Sequence, residues 1–248
     1  MIEFDKLDEF FKSKIILDGQ YDGVYYDLHL HTKASDGFLD IKFLKSFLKE
    51  KNHLISITDH NEIRKSIKSF EVENINSIPG IEIGCEDGME ILAYFENPKE
   101  LEEFYKVYLE PYKNRYRMAK SYKSWEYYIE VLKKYKTHTS LPHLNGYAQK
   151  NYIRNKKYLE EIIKSVDSIE TYNHTLDKVR NLRARDLREK YDLKATFGSD
   201  AHTRFDMKSY AKLEKNEMYE ELKIIEGAKK LYSIIGLGGK HLKYIFKK

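Results

Sequence analysis

One cysteine, Cys85, is all that 248 residues contain, which excludes an internal disulfide and fits a reducing compartment. Proline is scarce at four and glycine is limited to twelve, and no Ser/Gly/Pro-rich stretch interrupts the chain, so no flexible linker between separate domains is expected. No apolar run is long enough to span a bilayer and no secretory leader is visible, so a cytoplasmic protein without a membrane partner is expected. A Gly-rich phosphate loop is lacking, as is a Ser-His-Asp nucleophile pattern. Charge of one sign is not in great excess either. The 44 basic and 40 acidic residues leave +4, which suits an anionic substrate without demanding nucleic acid, and no basic and aromatic cluster is evident along the sequence.

What is present is a 41% hydrophobic chain, arranged as alternating strand and helix patterns, that can bury a substantial core. Strands are expected over 24–30, 53–60, 75–82, 89–95, 137–142, 168–172 and 194–199, with a hairpin turn at Glu86-Asp87-Gly88. Helices are expected over 39–49, 63–72, 157–165 and 176–191. Residues 1–20 read as an amphipathic helix, 99–136 as a Tyr/Lys-rich helical insertion broken at Pro111, and 215–248 as a helical and basic tail. That order argues for a single domain of the α/β class with a mainly parallel sheet and helices outside it.

The most informative stretch is Tyr25-Tyr26-Asp27-Leu28-His29-Leu30-His31, followed by Ser35-Asp36-Gly37. Alternate residues of a strand share a face, so His29 and His31 can offer two imidazoles to one ion while Leu28 and Leu30 face the layer behind. Asp36 can return an oxygen ligand from the loop. At the other end of the chain, Ala195 to Ser199 runs as an apolar strand into Asp200-Ala201-His202. Asp59 and His60, Glu82, His143 and Glu170 likewise fall at or just past the end of an expected strand. In a closed α/β barrel those ends form one face, where chemistry is done. Imidazole and carboxylate ligands together leave divalent ions with open positions for water and phosphate oxygens.

Taken in order, Asp27-Leu28-His29-Leu30-His31-Thr32, Ser35-Asp36-Gly37, Thr58-Asp59-His60, Pro79-Gly80-Ile81-Glu82, Pro142-His143 and Gly198-Ser199-Asp200-Ala201-His202 resemble the successive motifs of the PHP (polymerase and histidinol phosphatase) family, across about residues 24 to 205. The resemblance implies a distorted (β/α)7 barrel carrying two or three divalent ions (Mn, Zn or Fe, with Mg admitted) and hydrolysing phosphate esters. Carried over residue by residue, it gives His29, His31, Glu82 and Asp200 to one ion and Asp36, His60 and His202 to a second. Glu82 and His143 go to a third. Glu90, in Glu90-Ile91-Leu92-Ala93-Tyr94, stands where many members have the histidine that completes that third site. Glu82, Asp200 and His202 are the expected catalytic ligands.

Lys33 and Arg204 flank the ligand runs and are candidates for gripping phosphate oxygens. Asp59 is expected to orient a ligand rather than bind metal, and Glu170 and Asn173 to orient ligands or touch substrate. His53 and His138 belong to the opposite end of the strands, and Cys85 to the core. The expected activity is hydrolysis of a small phosphorylated substrate such as a nucleotide, a sugar phosphate or an amino-alcohol phosphate. A 3'-5' exonuclease on short single strands and a metal-binding regulatory module without activity are the alternatives. Substrate identity and oligomeric state are open.

Overall fold

Six of the seven strands run parallel and one runs against them. The structure, a computed structural model, describes residues 24–144, 156–212, 239, 240 and 244. The amphipathic segment over 1–20 lies outside the described residues, as does nearly all of the expected tail. The strands are β1 (Tyr25–Leu30), β2 (His53–Ile57), β3 (Ser77–Gly84), β4 (Glu90–Phe95), β5 (Thr137–Leu141), β6 (Ser168–Asn173) and β7 (Lys194–Gly198), hydrogen-bonded in that order. Only β4 is antiparallel to its neighbours, because the tight turn at residues 85–89 sends the chain straight back. The sheet closes on itself where Asp200 N donates to His29 O (2.7 Å) and His31 N to Ala201 O (2.9 Å). Gly198 permits that closure, since a Cβ there would lie 2.5 Å from the Cβ of His29. The fold is therefore a distorted seven-stranded α/β barrel, as the sequence led us to expect.

Among the described residues seven named α-helices accompany the strands: α1 (Ile41–Leu48), α2 (Arg64–Ser69), α3 (Pro98–Phe104), α4 (Trp125–Leu132), α5 (Lys156–Ile163), α6 (Lys178–Lys190) and α7 (Arg204–Lys212). Local chemistry sets their starts. Asp40, Asn97 and Asp177 each accept a hydrogen bond from the backbone N–H three residues on, and Pro98 opens α3 where no donor is needed. Alternation along the strands then separates two layers. In β4, Ile91, Ala93 and Phe95 pack outward on Leu101, Phe104 and Tyr128, whereas Leu92 and Tyr94 join Leu28, Leu54 and Ile78 in the barrel interior. None of the helices among the described residues is long and apolar enough to cross a membrane.

Two sequence expectations are corrected. Leu28 and Leu30 do not share a layer: the register of β1 against β2 slips between Asp27 and Leu30, so Leu28 fills the interior while Leu30 packs outside with Leu39, Leu44 and Met207. The segment over 99–136 is helical only at its two ends. Beyond α3 it widens into a π turn over residues 105–109 and tightens into a 3-10 turn over 110–112, and 113–124 then runs without helix. Pro111 supplies no amide donor, and the Arg- and Tyr-rich residues after it carry no apolar stripe to hold a helix down.

Candidate metal centre

All nine ligand candidates meet on the barrel face formed by the carboxyl ends of the parallel strands. Glu90 joins them from the amino end of β4 because that strand is reversed. At the centre, the Nε2 atoms of His29 and His31 are 3.1 Å apart. One oxygen of Glu82 lies 3.4 Å from His29 Nε2, 3.3 Å from His31 Nε2 and 3.0 Å from His60 Nδ1, and its other oxygen lies 3.1 Å from His143 Nε2. Asp200 Oδ1 sits 3.2 Å from His31 Nε2, and Asp36 Oδ2 sits 3.4 Å from His202 Nε2 and 3.6 Å from His60 Nε2. Glu90 is the outermost, 3.9 Å from both His60 and His143.

Donor atoms within 4.8 Å of one another fall into four overlapping groups: His31-Asp36-His60-His202, His29-His31-Asp200, His29-Glu82-His143 and His60-Glu82-Glu90. His29, His31, His60 and Glu82 each belong to two groups and tie the four together. The grouping by resemblance placed His31 with His29; geometry shares it with the Asp36 group as well.

The donors fit divalent ions on the evidence of their own geometry. Nδ1 of His31 and Nδ1 of His60 are buried without a hydrogen bond, although His60 Nδ1 is only 3.0 Å from a Glu82 oxygen. Close approach without alignment is how ligands to a common ion stand, and it leaves buried polar atoms needing a partner. Nitrogen and carboxylate oxygen without thiolate is a donor set for a hard or borderline divalent ion rather than a soft one.

Surrounding groups hold the donors in place. Glu170 accepts from His29 Nδ1 (2.9 Å), turning Nε2 toward the centre, and its other oxygen accepts from His143 N (2.6 Å) and Asn173 Nδ2 (2.9 Å). Asn173 Nδ2 and Thr175 Oγ1 also donate to Asp200 Oδ2, each at 3.2 Å. His202 Nδ1 donates to Asp200 O (2.9 Å), leaving Nε2 toward Asp36. Asp59 accepts from Thr32 N, Thr32 Oγ1 and Ser35 Oγ; it shapes the loop that carries His31 and Asp36 and is absent from every donor group. Asn61, His143 and Asp200 take positive φ, which Asn, His and Asp tolerate better than most side chains, and all three sit at or next to a donor.

Electrostatics match this crowding. Burial works against charge on every donor, yet the carboxylates around His29 and His60 hold both imidazoles well above the ordinary range, and His143 and His202 are raised to about 9. The imidazolium charges in turn keep Asp36, Glu82 and Asp200 ionised far below the usual carboxylate range. His31 alone goes down, to about 4, by burial and by repulsion from His202 and His60.

Lys33 and Arg204 are on the rim, where both reach Asp40: Lys33 Nζ at 2.8 Å and Arg204 Nη2 at 3.5 Å. Two residues escaped sequence reasoning. Lys240, from the tail, donates to the carbonyl of Gly37, the neighbour of Asp36, and lies 4.4 Å above the Phe38 ring. No spacing rule connects position 240 with position 37. Asp27 is fully buried behind His29, accepting from Ser199 N (2.8 Å), Ser199 Oγ (2.6 Å) and Tyr25 Oη (2.9 Å), and burial lifts it to about 6 against those donors. Its place two residues before His29 in the first motif was the available signal. Asp27→Ala strands three buried donors, at ~1–3 kcal/mol each. A loss of about 3 kcal/mol or more in urea unfolding is expected, with weaker metal retention because Ser199 no longer fixes Asp200. His53 and His138 are, as expected, structural: His53 Nε2 accepts from Asn76 N and His138 Nε2 pairs with Ser168 Oγ.

No protein-family model and no curated protein sequence matches the chain. Solved structures do. A protein from Bifidobacterium adolescentis described as a metal-dependent phosphoesterase superposes with a TM-score of 0.58 at 15% identity, covering 73% of this chain and 88% of its own. An amidohydrolase from Chromobacterium violaceum, solved with sulfate and without metal, gives 0.52 at 15% identity over 72% of this chain and 88% of its own. The lesion-specific endonuclease Q from Pyrococcus furiosus gives 0.56 at 14% identity over 72% of this chain, which spans about half of it at 48%. At such identities the likeness is one of fold: the chain shares the barrel of these solved structures, one described as a metal-dependent phosphoesterase and one as a lesion-specific endonuclease.

Proposed function

We propose that the protein is a metal-dependent phosphoric ester hydrolase. The observation that carries this reading is the convergence of nine imidazole and carboxylate donors from six strand ends on one barrel face, with two buried imidazole nitrogens lacking hydrogen bonds. Ions held there would supply an acidified water and neutralise charge developing on a phosphoryl group.

The chain's own part is positional and electrostatic. Glu82, His31 and Asp200 fix the inner donor groups, Asp36, His60 and His202 the outer one, and Glu170 and Asp59 keep imidazoles and loop in register. Glu82, Asp200 and His202 are assigned as the catalytic ligands. Glu90 completes a group with His60 and Glu82, and its carboxylate in place of an imidazole favours an oxygen-preferring ion at that position. Lys33, Arg204 and Lys240 form the cationic side of the mouth, the first two restrained by Asp40 and the third by Gly37. A phosphate monoanion or dianion entering there exchanges those restraints for its own oxygens.

The assay is phosphate or p-nitrophenol release from p-nitrophenyl phosphate, its bis ester and a panel of nucleotides and sugar phosphates, with protein purified without chelator and with Mn, Zn, Fe or Mg added. Turnover that disappears on chelation and returns with metal is expected. Bound metal with no turnover on any substrate would favour a regulatory module. Lys240→Ala is expected to raise KM about tenfold with kcat within a factor of two or three, since it removes a contact shared by ground and transition states. An unchanged KM would remove Lys240 from the substrate path. The names of the structural neighbours, a phosphoesterase and a lesion-specific endonuclease, agree with either a small phosphorylated substrate or a nucleic acid. Residues 112–123 give a reason to weigh the second.

A further inference from the structure

The expectation that no basic and aromatic cluster stands out is corrected between residues 112 and 123, where the chain places five lysine and arginine residues and three tyrosines, with no aspartate or glutamate among them. That stretch holds more positive charge than the +4 net of the whole protein. It is the crest of the β4–β5 connection, without helix beyond Tyr112, and it is fastened beside the metal-binding face at its middle and at its carboxyl end. Asn61, which follows the ligand His60, donates through Nδ2 to Met118 O (3.1 Å) and accepts through Oδ1 from Gly84 N (3.0 Å). Ala119 lies so close to β3 that a Cβ on Gly84, two residues beyond the ligand Glu82, would be 2.1 Å from its carbonyl oxygen. Further on, Glu86 N donates to Lys123 O (2.8 Å).

Within the crest, Lys123 lies 4.3 Å above the Tyr112 ring and Lys113 reaches Glu62, so these cations are engaged. Arg115, Tyr116 and Arg117 are exposed, and Tyr122 with them; among the described residues no carboxylate pairs with either arginine. Exposed guanidinium groups alternating with an exposed phenol ring are what a single nucleic-acid strand binds, its phosphates on the cations and its bases on the rings.

We infer that residues 112–123 form a ledge that binds a single-stranded nucleic acid next to the metal-binding face. The ledge depends on the proposed hydrolase reading only for the fate of the bound strand, so binding and turnover are tested apart. The probe is a fluorescently labelled oligodeoxythymidine of about 20 nucleotides, longer than the ~4–16 that a single-strand site spans. Anisotropy is read with the full chain in chelator. The wild type binds, and the triple variant Arg115→Ala, Tyr116→Ala, Arg117→Ala binds at least about tenfold more weakly. Its dependence of log affinity on log salt is shallower by about 1.4, the contribution of two phosphate contacts at ~0.7 each. Lys45→Ala with Lys49→Ala, two exposed cations at the end of α1, leaves affinity unchanged.

The melting temperature of the triple variant and its turnover of p-nitrophenyl phosphate stay at wild-type values, because the three side chains are exposed and outside the donor groups. The inference is overturned if the wild type does not bind, if the variant binds equally well, or if the loss appears with anionic phospholipid vesicles and not with the oligonucleotide. Absence of turnover on every phosphate ester of the panel and on the oligonucleotide itself, with oligonucleotide binding lost in the variant, would reject the hydrolase reading and leave the ledge standing.

Discussion

Glu82→Gln is expected to lower metal content by at least one ion per chain and kcat by a factor on the order of 10³. Glu82 is the one carboxylate within 3.4 Å of three imidazoles through a single oxygen, and its second oxygen reaches a fourth. It belongs to two of the four donor groups, so loss of its charge weakens both at once. Charge stabilisation by bound ions is worth several kcal/mol, and each ~1.4 kcal/mol is a factor of ten in rate. In chelator, the same substitution leaves His29 and His60 without their shared counter-charge, and breaking a buried pair on one side costs about 3–5 kcal/mol. Elemental analysis, steady-state kinetics and a thermal melt of one preparation check the three effects together. Full metal content with full activity would show that Glu82 is not a ligand.

Removal of metal is expected to make stability fall steeply between about pH 6.5 and pH 9, whereas the metal-loaded protein holds its melting temperature over that interval. In the metal-free protein His143 and His202 titrate near 9, raised from an ordinary 6.5 by carboxylates that outweigh burial. A group whose folded pKa is raised contributes stability that is complete below its unfolded pKa and is lost as pH rises through the folded value. A rise of that size is worth ~3 kcal/mol for one group, and because the two histidines share neighbours the sum is taken as a few kcal/mol. For a domain of this size that is a drop of about 10 °C. Asp36, Glu82 and Asp200 act in the opposite sense: their stabilising charge is present above the ordinary carboxylate range and is lost only in strong acid. Bound ions take the place of the protons, so loading releases protons at neutral pH and metal affinity climbs toward pH 9. Calorimetric titration in two buffers of different ionisation enthalpy measures that release. A metal-free melting temperature that stays level from pH 6.5 to 9 would show that these imidazoles are not held as cations by the donor cluster.

Much of the centre was readable before any coordinates, for a specific reason. His29, His31, His60, Glu82, His143, Asp200 and His202 each end a strand, and strand ends are marked by a change from apolar alternation to polar residues that sequence shows directly. A parallel barrel brings such ends to one face whatever the side chains are. Glu90 was legible only through the resemblance, from the Glu90-Ile91-Leu92-Ala93-Tyr94 run, since it stands at the start of its strand rather than at the end. The slip in β1 was not legible, since a one-residue register shift leaves no trace in composition and still sends Leu28 inward. Nor was the loop over 113–124, where the Tyr, Lys and Arg residues have helix propensities too similar to those of their neighbours to show where α3 gives way.

By itself the sequence determined the kind of donors and the strands that carry them, because period and motif are local properties of the chain. Tertiary structure alone decided which donors share a group, that Glu170 and Asp27 stand behind His29, that Asp40 restrains Lys33 and Arg204, and that Lys240 comes to Gly37. Those are relations between residues as far as 203 positions apart. Closure of the barrel fixes them, and no local pattern encodes how a sheet closes.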